Sequence, residues 1–206
     1  MTNILLATAY LAPVQYYSKL NRADIVTIEL FEHYIKQSYR NRCIIAGPEG
    51  AQSLTLPVEK APNHGSIKDV RLSDHGNWRR LHWNALQSSY MTSPFFEYYA
   101  DDFAPFYEKK YDFLCDFNEE LMLLCCRLLD IDIEGKLRHT DTYRSDLADG
   151  EVDLRNAISP KCDFTADANF EAKPYYQVFR ERTGFIPNLS IVDLLFNMGP
   201  EGLLYL

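Results

Sequence analysis

Two short apolar runs, NILLATA at Asn3–Ala9 and DIVTIEL at Asp24–Leu30, flank a stretch that opens on Pro13. That order leaves little choice of fold. The first run is nearly continuous in its apolar residues, as a strand covered on both faces is, and the second is rich in β-branched residues. Pro13 presets the backbone dihedral of a first helical turn and has no N–H to leave unsatisfied, so a helix over Val14–Leu20 follows. Strand, helix, strand is a βαβ unit, and its crossover makes the two strands parallel. Ligands of open α/β sheets gather beyond the carboxyl ends of the strands. Here that place is Ala7–Tyr10 together with the start of the Pro13 helix.

Downstream, Phe31–Arg42 is polar, aromatic and basic, and reads as a functional loop. Cys43–Ala46 and Gln52–Val58 lie either side of Gly47-Pro48-Glu49-Gly50, the pattern of a hairpin, with Pro57 marking an edge or a strand end. Ala61–Ser66 reads as a loop and Lys68–Leu72 as a further short strand. Asn77 is placed to cap a helix running to about Tyr90. Ser93-Pro94 ends that helix and opens another through Tyr98–Phe106. Asp116 or Asn118 caps a mostly buried helix over Glu119–Leu129. Residues 131–173 are rich in Asp, Arg and Thr without long apolar runs, and read as a lid or an irregular segment. Ser190 caps a final helix, Ile191–Met198, which Gly199-Pro200 stops. The fold class is α/β: a mixed sheet opened by the βαβ unit, with helices mainly in the second half, in a single domain over 1–206.

Composition narrows function by exclusion. A net charge of −8 is the wrong sign for a groove that tracks nucleic-acid phosphates. The five cysteines are odd in number, two are adjacent, and no CxxC pair exists, which argues against a disulfide framework or zinc site and for a reducing, cytoplasmic setting. The N-terminal MTNILLATAYLA has no basic stretch before its apolar one and reads as a strand rather than a signal peptide. No run reaches membrane-spanning length. There is no P-loop, GxGxxG, GxSxG or HExxH, so no cofactor is named, and the loop histidines His64 and His75 have no metal-ligand spacing.

Several pieces in order carry a resemblance. They are Tyr10-Leu11 with Tyr16-Tyr17 and Lys19, Ala23-Asp24, Tyr34 to Arg42 ending in Arg-Asn-Arg, and Leu54-Thr55-Leu56-Pro57-Val58. Asn77-Trp78-Arg79 follows, with Tyr90 and Pro94-Phe95-Phe96. The most distinctive is the closing Leu189-Ser190-Ile191-Val192-Asp193-Leu194-Leu195-Phe196-Asn197-Met198-Gly199. This set resembles the WbqC-like family. The family often has His-Gln-Pro where this chain has Leu6-Ala7-Thr8, so a role carried by that His or Gln does not transfer. The resemblance implies a bacterial, cytoplasmic protein of O-antigen or other surface-polysaccharide biosynthesis. It implies a transferase of glycine or another small acyl or aminoacyl group to a sugar. The alternative is a non-catalytic ligand-binding or assembly protein of the same pathway.

The candidate residues follow from helical spacing and loop position. Arg79, Trp83 and Tyr90 fall on one flank of the Asn77 helix, where a guanidinium beside two rings suits an anion and a stacked ring, or a structural Arg–aromatic seam. His82 lies on the adjacent stripe with Trp78, Leu81, Ala85 and Ser89, as a hydrogen-bonded core residue or a general base. Arg40, Asn41 and Arg42 could fork an anion or form a solvated hairpin edge. His33, in the same loop, is the second candidate base. Tyr10, Gln15 and Lys19 line the entry to the first helix. Asp193 sits inside an apolar helix and reads as a bonded buried carboxylate before it reads as catalytic. Cys43 reads as a small core residue. The expected partner is a small sugar-like or nucleotide-like molecule. Oligomeric state is left unassigned.

Overall fold

The computed structural model describes residues 2–59 and 65–206. Strand β1 (Asn3–Ala7) pairs in parallel with β2 (Ile25–Glu29), Asn3 opposite Ile25 through Ala7 opposite Glu29. Helix α1 (Val14–Arg22) makes the crossover, starting one residue after Pro13. Leu5 and Leu6 point to opposite faces and both are fully buried, so the sheet is covered on both sides as the apolar run required.

Two three-residue strands from the 131–173 segment complete this sheet. β5 (Leu137–His139) lies beside β2 and β6 (Glu151–Asp153) beside β1, all parallel, in the order β5-β2-β1-β6. The chain moves outward from β1 through β2 to β5, then returns to the far side of β1. That reversal puts a topological switch between β1 and β6. The α/β class holds. Isolated bridges aside, antiparallel strand pairing among the described residues lies in a separate hairpin, β3 (Arg42–Gly47) with β4 (Gly50–Thr55), turning at Gly47–Gly50 as expected.

The later helices are α2 (Trp78–Tyr90), α3 (Phe96–Glu108), α4 (Leu114–Leu128), the single turn α5 (Arg180–Thr183) and α6 (Ile191–Met198). α6 is the centre of the core: every residue from Ile191 to Asn197 is buried, which is what an almost wholly apolar helix demands. Its entry is tied down by Ser190 N–H to the Ile44 carbonyl at 2.7 Å and Ile191 N–H to the Ala12 carbonyl at 2.9 Å. It ends at Gly199, whose φ of 57° suits glycine and whose Cβ, if present, would lie 2.6 Å from the Phe95 ring.

Four local expectations are corrected. Lys68–Leu72 is no strand. Ile67–Asp69 forms a 3-10 turn whose Ile67 and Lys68 amides bond the Glu32 and Leu30 carbonyls, and only isolated bridges follow. Asn77 does not cap α2; it is left-handed (φ 49°), and its side chain makes no capping bond. Asp116 and Asn118 lie inside α4, which starts at Leu114; the buried Asn118 amide instead donates to Thr8 Oγ1 and the Arg40 carbonyl. Ser190 Oγ donates to the Leu11 carbonyl rather than capping α6. For Asn118 and Ser190 a distant backbone carbonyl claims the side chain that local sequence assigned to a cap. His64 and positions 61–64 of the Ala61–Ser66 loop lie outside the described residues.

Candidate functional site

Parallel pairing delivers the carboxyl ends of all four strands to one edge, and a carboxylate stands at the end of β2. Glu29 is fully buried and accepts four hydrogen bonds. Its Oε1 takes Phe31 N–H at 2.9 Å and Thr140 Oγ1 at 2.8 Å; its Oε2 takes Arg144 N–H at 3.1 Å and Arg155 Nη1 at 3.2 Å. Those donors belong to the three loops that follow β2, β5 and β6. One buried carboxylate thus holds the three loops together, and the guanidinium of Arg155 supplies the charge that makes its burial tolerable. Arg155 is held in turn by Asp153, through Nε at 3.0 Å and Nη2 at 2.7 Å, and that fork keeps the Asp153 carboxyl below its usual range.

A second buried pair lies alongside. Glu32 accepts from Arg40 Nε at 2.7 Å and Nη2 at 2.5 Å, a bidentate fork between two almost wholly buried side chains. Burial pushes the Glu32 carboxyl above its ordinary value, and Glu29 adds to the rise, although Arg40 and Arg155 pull the other way.

Above these pairs opens a cleft of about 600 Å³, lined by Phe31, Glu32, His33, Ile35, Ser66, Thr142, Tyr143 and Asn156. That size suits a small-molecule ligand. Each of its two rings has a cation beside it: Lys68 Nζ lies 4.0 Å from the Phe31 centroid, and the Arg155 guanidinium lies 5.3 Å from that of Tyr143. His33 Nδ1 meets the Gly65 carbonyl at 3.2 Å, and His33 bridges Ser66, so the far wall is tied to the loop after β2. An aromatic surface, a carboxyl with raised proton affinity and a polar rim can hold a polyhydroxylated ring and take a proton from it.

The switch between β1 and β6, where the opening βαβ unit pointed, is filled. Two small voids flank the end of β1, each about 10 Å³, room for about one water. Tyr10 is fully buried there; its hydroxyl meets His82 Nδ1 at 3.0 Å and the Tyr107 hydroxyl at 2.9 Å. The ligand position expected at Ala7–Tyr10 is therefore occupied by side chains. The open position lies one strand over, beyond β2.

Of the residues named from sequence, His33 lines the cleft and Arg40 lies beneath it. The others scatter. His82 is buried between Tyr10 and Trp78, is also hydrogen-bonded to the Thr55 backbone, and is driven by burial down to about 4, so it is neutral near pH 7. Asn41 donates to the Leu56 carbonyl, and Arg42 to Thr55 Oγ1 across the hairpin. Gln15 and Lys19 both bind Asp167, Lys19 Nζ at 2.6 Å. Arg79 pairs with Asp74 at 2.8 Å beside the Trp78 ring. Trp83 packs on Tyr107 and Phe96. Tyr90 is fully buried and donates to Asp193 Oδ1 at 2.8 Å. Arg79, Trp83 and Tyr90 share a helix flank but not a surroundings, and they do not join the Arg40 loop around one cleft. Leu81, assigned to the buried stripe, is 60% exposed; Leu86 takes its place.

Asp193 is a bonded core carboxylate, as expected, with Tyr90, Tyr175 and Gln177 as donors rather than backbone or Arg. Burial raises it to about 6. Cys43 is buried, and its thiol is pushed up by burial. Among the described residues no cluster of His, Cys, Asp or Glu is arranged to hold a metal ion, and no helix is long and apolar enough to cross a membrane.

Sequence reasoning missed Glu29, Glu32, Tyr143 and Arg155. Glu29 did leave a signal: a carboxylate ending an otherwise apolar strand must meet compensating donors. Three of its four donors, more than a hundred residues away, left none.

The model of the WbqC-like protein family matches residues 8–159, a span that begins directly after β1 and contains the Glu29–Arg155 network and the described lining of the cleft. "Uncharacterized protein Rv1507c" of Mycobacterium tuberculosis (strain ATCC 25618 / H37Rv) is 31% identical over 197 residues, covering 84% of this chain and 83% of the relative. No solved structure matches.

Proposed function

The chain belongs to the WbqC-like protein family, and on that premise we propose that it is a cytoplasmic transferase acting in bacterial surface-polysaccharide biosynthesis, such as that of O-antigen. It moves a small acyl or aminoacyl group, glycine being the simplest, from an activated ester or thioester donor onto a sugar. The observation that carries this reading is Glu32. Its carboxyl lines a ligand-sized cleft and has a raised proton affinity, beside two aromatic rings.

The step balances without a cofactor. An acceptor hydroxyl or amine nitrogen forms a bond to the donor's acyl carbon, and its proton passes to the Glu32 carboxylate. The bond from that carbon to the donor's leaving oxygen or sulfur breaks, and the electron pair leaves with the donor fragment. Arg40 keeps the Glu32 carboxylate aimed and favours its charged form, while burial raises its proton affinity above that of a free glutamate. His33 stands on the same wall and is the alternative base. Phe31 and Tyr143 offer flat apolar surface to a sugar ring, and Thr142, Ser66 and Asn156 offer hydrogen bonds to its hydroxyls.

The test is direct. Purified protein is given simple glycosides and a glycyl thioester, and the product is followed by mass spectrometry. Esterified or amidated sugar is expected from the native chain and not from Glu32→Gln, with sugar binding retained in the variant. Equal turnover by Glu32→Gln would remove Glu32 as the base. The binding-protein alternative is favoured by one fact: Arg40, Arg144 and Arg155 beneath the cleft are all already paired with carboxylates. On that alternative the same sugars bind and no product forms with any donor.

A further inference from the structure

We infer that the cleft beyond β2 selects an uncharged sugar ring and keeps phosphate out, so that any phosphate or diphosphate carried by the acceptor stays in solvent. The inference rests on the cleft being the acceptor site and adds the charge class of what it accepts.

Three observations support it. First, the described lining holds two rings, one aliphatic side chain, a carboxyl, an imidazole, two hydroxyls and an amide, and neither Lys nor Arg. Proteins that hold phosphate aim guanidinium, ammonium or clustered backbone N–H groups at it. Second, the arginines beside the cleft among the described residues are committed to carboxylates. Arg40 spends Nε and Nη2 on the Glu32 carboxylate, and Nη2 also reaches the Arg155 carbonyl at 3.4 Å. Arg155 spends Nε and Nη2 on Asp153, and Nη1 on Glu29 and the Arg144 carbonyl. Arg144 forks Glu151, with Nη2 at 2.8 Å. Lys68 is exposed, and its ammonium lies against the Phe31 ring rather than among the lining side chains. Turning Arg40 or Arg155 toward a bound phosphate would leave Glu32 or Glu29 buried with no countercharge, an exchange that loses more than it gains. Third, the Glu32–Arg40 pair on the wall offers an entering anion no net positive charge, in a protein whose net charge is already −8.

An uncharged ring meets none of these penalties. Its C–H face can lie on Phe31 or Tyr143, and its hydroxyls can pair with Ser66, Thr142, Asn156 and the outer lone pairs of Glu32. A nucleotide-linked or lipid-linked sugar then enters ring first, with its phosphates outside. A ring carrying a phosphate ester on a hydroxyl that must enter is rejected.

The experiment is a calorimetric or ligand-observed NMR titration of the full chain with methyl glycosides of glucose, mannose, galactose, rhamnose and N-acetylglucosamine. Each hexose that binds is then compared with its 6-phosphate. At least one glycoside is expected to bind, and Tyr143→Ala is expected to weaken it. Tyr143 is 57% exposed, so that variant leaves the core untouched. The phosphorylated counterpart is expected to bind about tenfold more weakly or worse, the gap narrowing in Glu32→Gln, where Arg40 loses its carboxylate partner. If the phosphorylated sugar binds as tightly as the glycoside, and Tyr143→Ala weakens both, the sugar cleft stands and the charge selection is wrong. If no glycoside binds, or Tyr143→Ala changes nothing, the cleft is not the acceptor site and the functional reading itself fails.

Discussion

The His82–Tyr10–Tyr107 chain and the Glu29–Arg155–Arg40–Glu32 network are both buried, both hydrogen-bonded, and both made of residue types that do chemistry in enzymes. They differ in where they end. The first is closed: His82 is engaged by Tyr10 and the Thr55 backbone, Tyr10 is shared by His82 and Tyr107, and rings of Trp78 and Phe117 pack around them. The second has an open side, where Glu32 forms part of a wall that a ligand can reach. Burial with a shifted proton affinity is common to both, so neither property by itself marks a site. What separates them is a reachable edge on the second and the use of every polar group in the first.

The comparison breaks most sharply at Arg40. Arg40→Ala leaves Glu32 buried without its counterion and is expected to cost about 3–5 kcal/mol in urea unfolding, whereas changing Arg40 and Glu32 together to Met recovers most of it. An equally damaging double variant would mean that the fork is not what matters there.

The closed network is read best by pH. His82 has its folded value lowered to about 4 from 6.5, so its contribution is complete above pH 6.5 and lost as pH falls toward 4, on the order of 3 kcal/mol in total. Asp193 works in the opposite sense over an overlapping window. Raised to about 6 from 3.8, its protonation favours the fold as pH falls from about 6 to 3.8. His82→Asn is therefore expected to flatten the acid-side fall in chemical-denaturation stability, and Asp193→Asn to steepen it. Identical pH slopes in both variants and the native chain would show that neither group is held as described.

Smaller effects sharpen the contrast. Tyr10→Phe removes the hydroxyl shared by His82 and Tyr107 and is expected to cost about 1–3 kcal/mol in thermal unfolding, with ligand binding at the cleft unchanged. A binding defect in that variant would connect the two networks. Arg79→Ala breaks a pair whose Asp74 partner is half exposed, so a change of at most about 1 kcal/mol is expected, again with binding unchanged. Loss of sugar binding in that variant would restore the helix flank as the site.

The helix flank shows why the site was harder to read than the fold. Spacing does place Arg79, Trp83 and Tyr90 near one another along α2, but it cannot say what covers them. Asp74 reaches Arg79, Tyr107 covers Trp83 and Asp193 receives Tyr90, and these partners lie on three other segments. His33 was legible because it lies in a polar loop directly after a strand whose carboxyl end faces the cleft. Glu32, its neighbour, was overlooked because an acidic residue in such a loop is ordinarily solvated. Only the Arg40 fork and the packing around it make this one unusual.

What the chain determines on its own is whatever depends on neighbours a few residues apart. The apolar runs and Pro13 specify the βαβ opening, the Gly-Pro-Glu-Gly turn specifies the hairpin, and the apolar periodicity places α2, α4 and α6. The tertiary structure alone decided where the ligand-sized cleft lies. Parallel pairing of β5 and β6 with β2 and β1 brings Thr140, Arg144 and Arg155 onto Glu29 across more than a hundred residues. No local periodicity encodes that meeting. It follows from which strands share an edge, and from the need of one buried carboxylate for four donors and a countercharge.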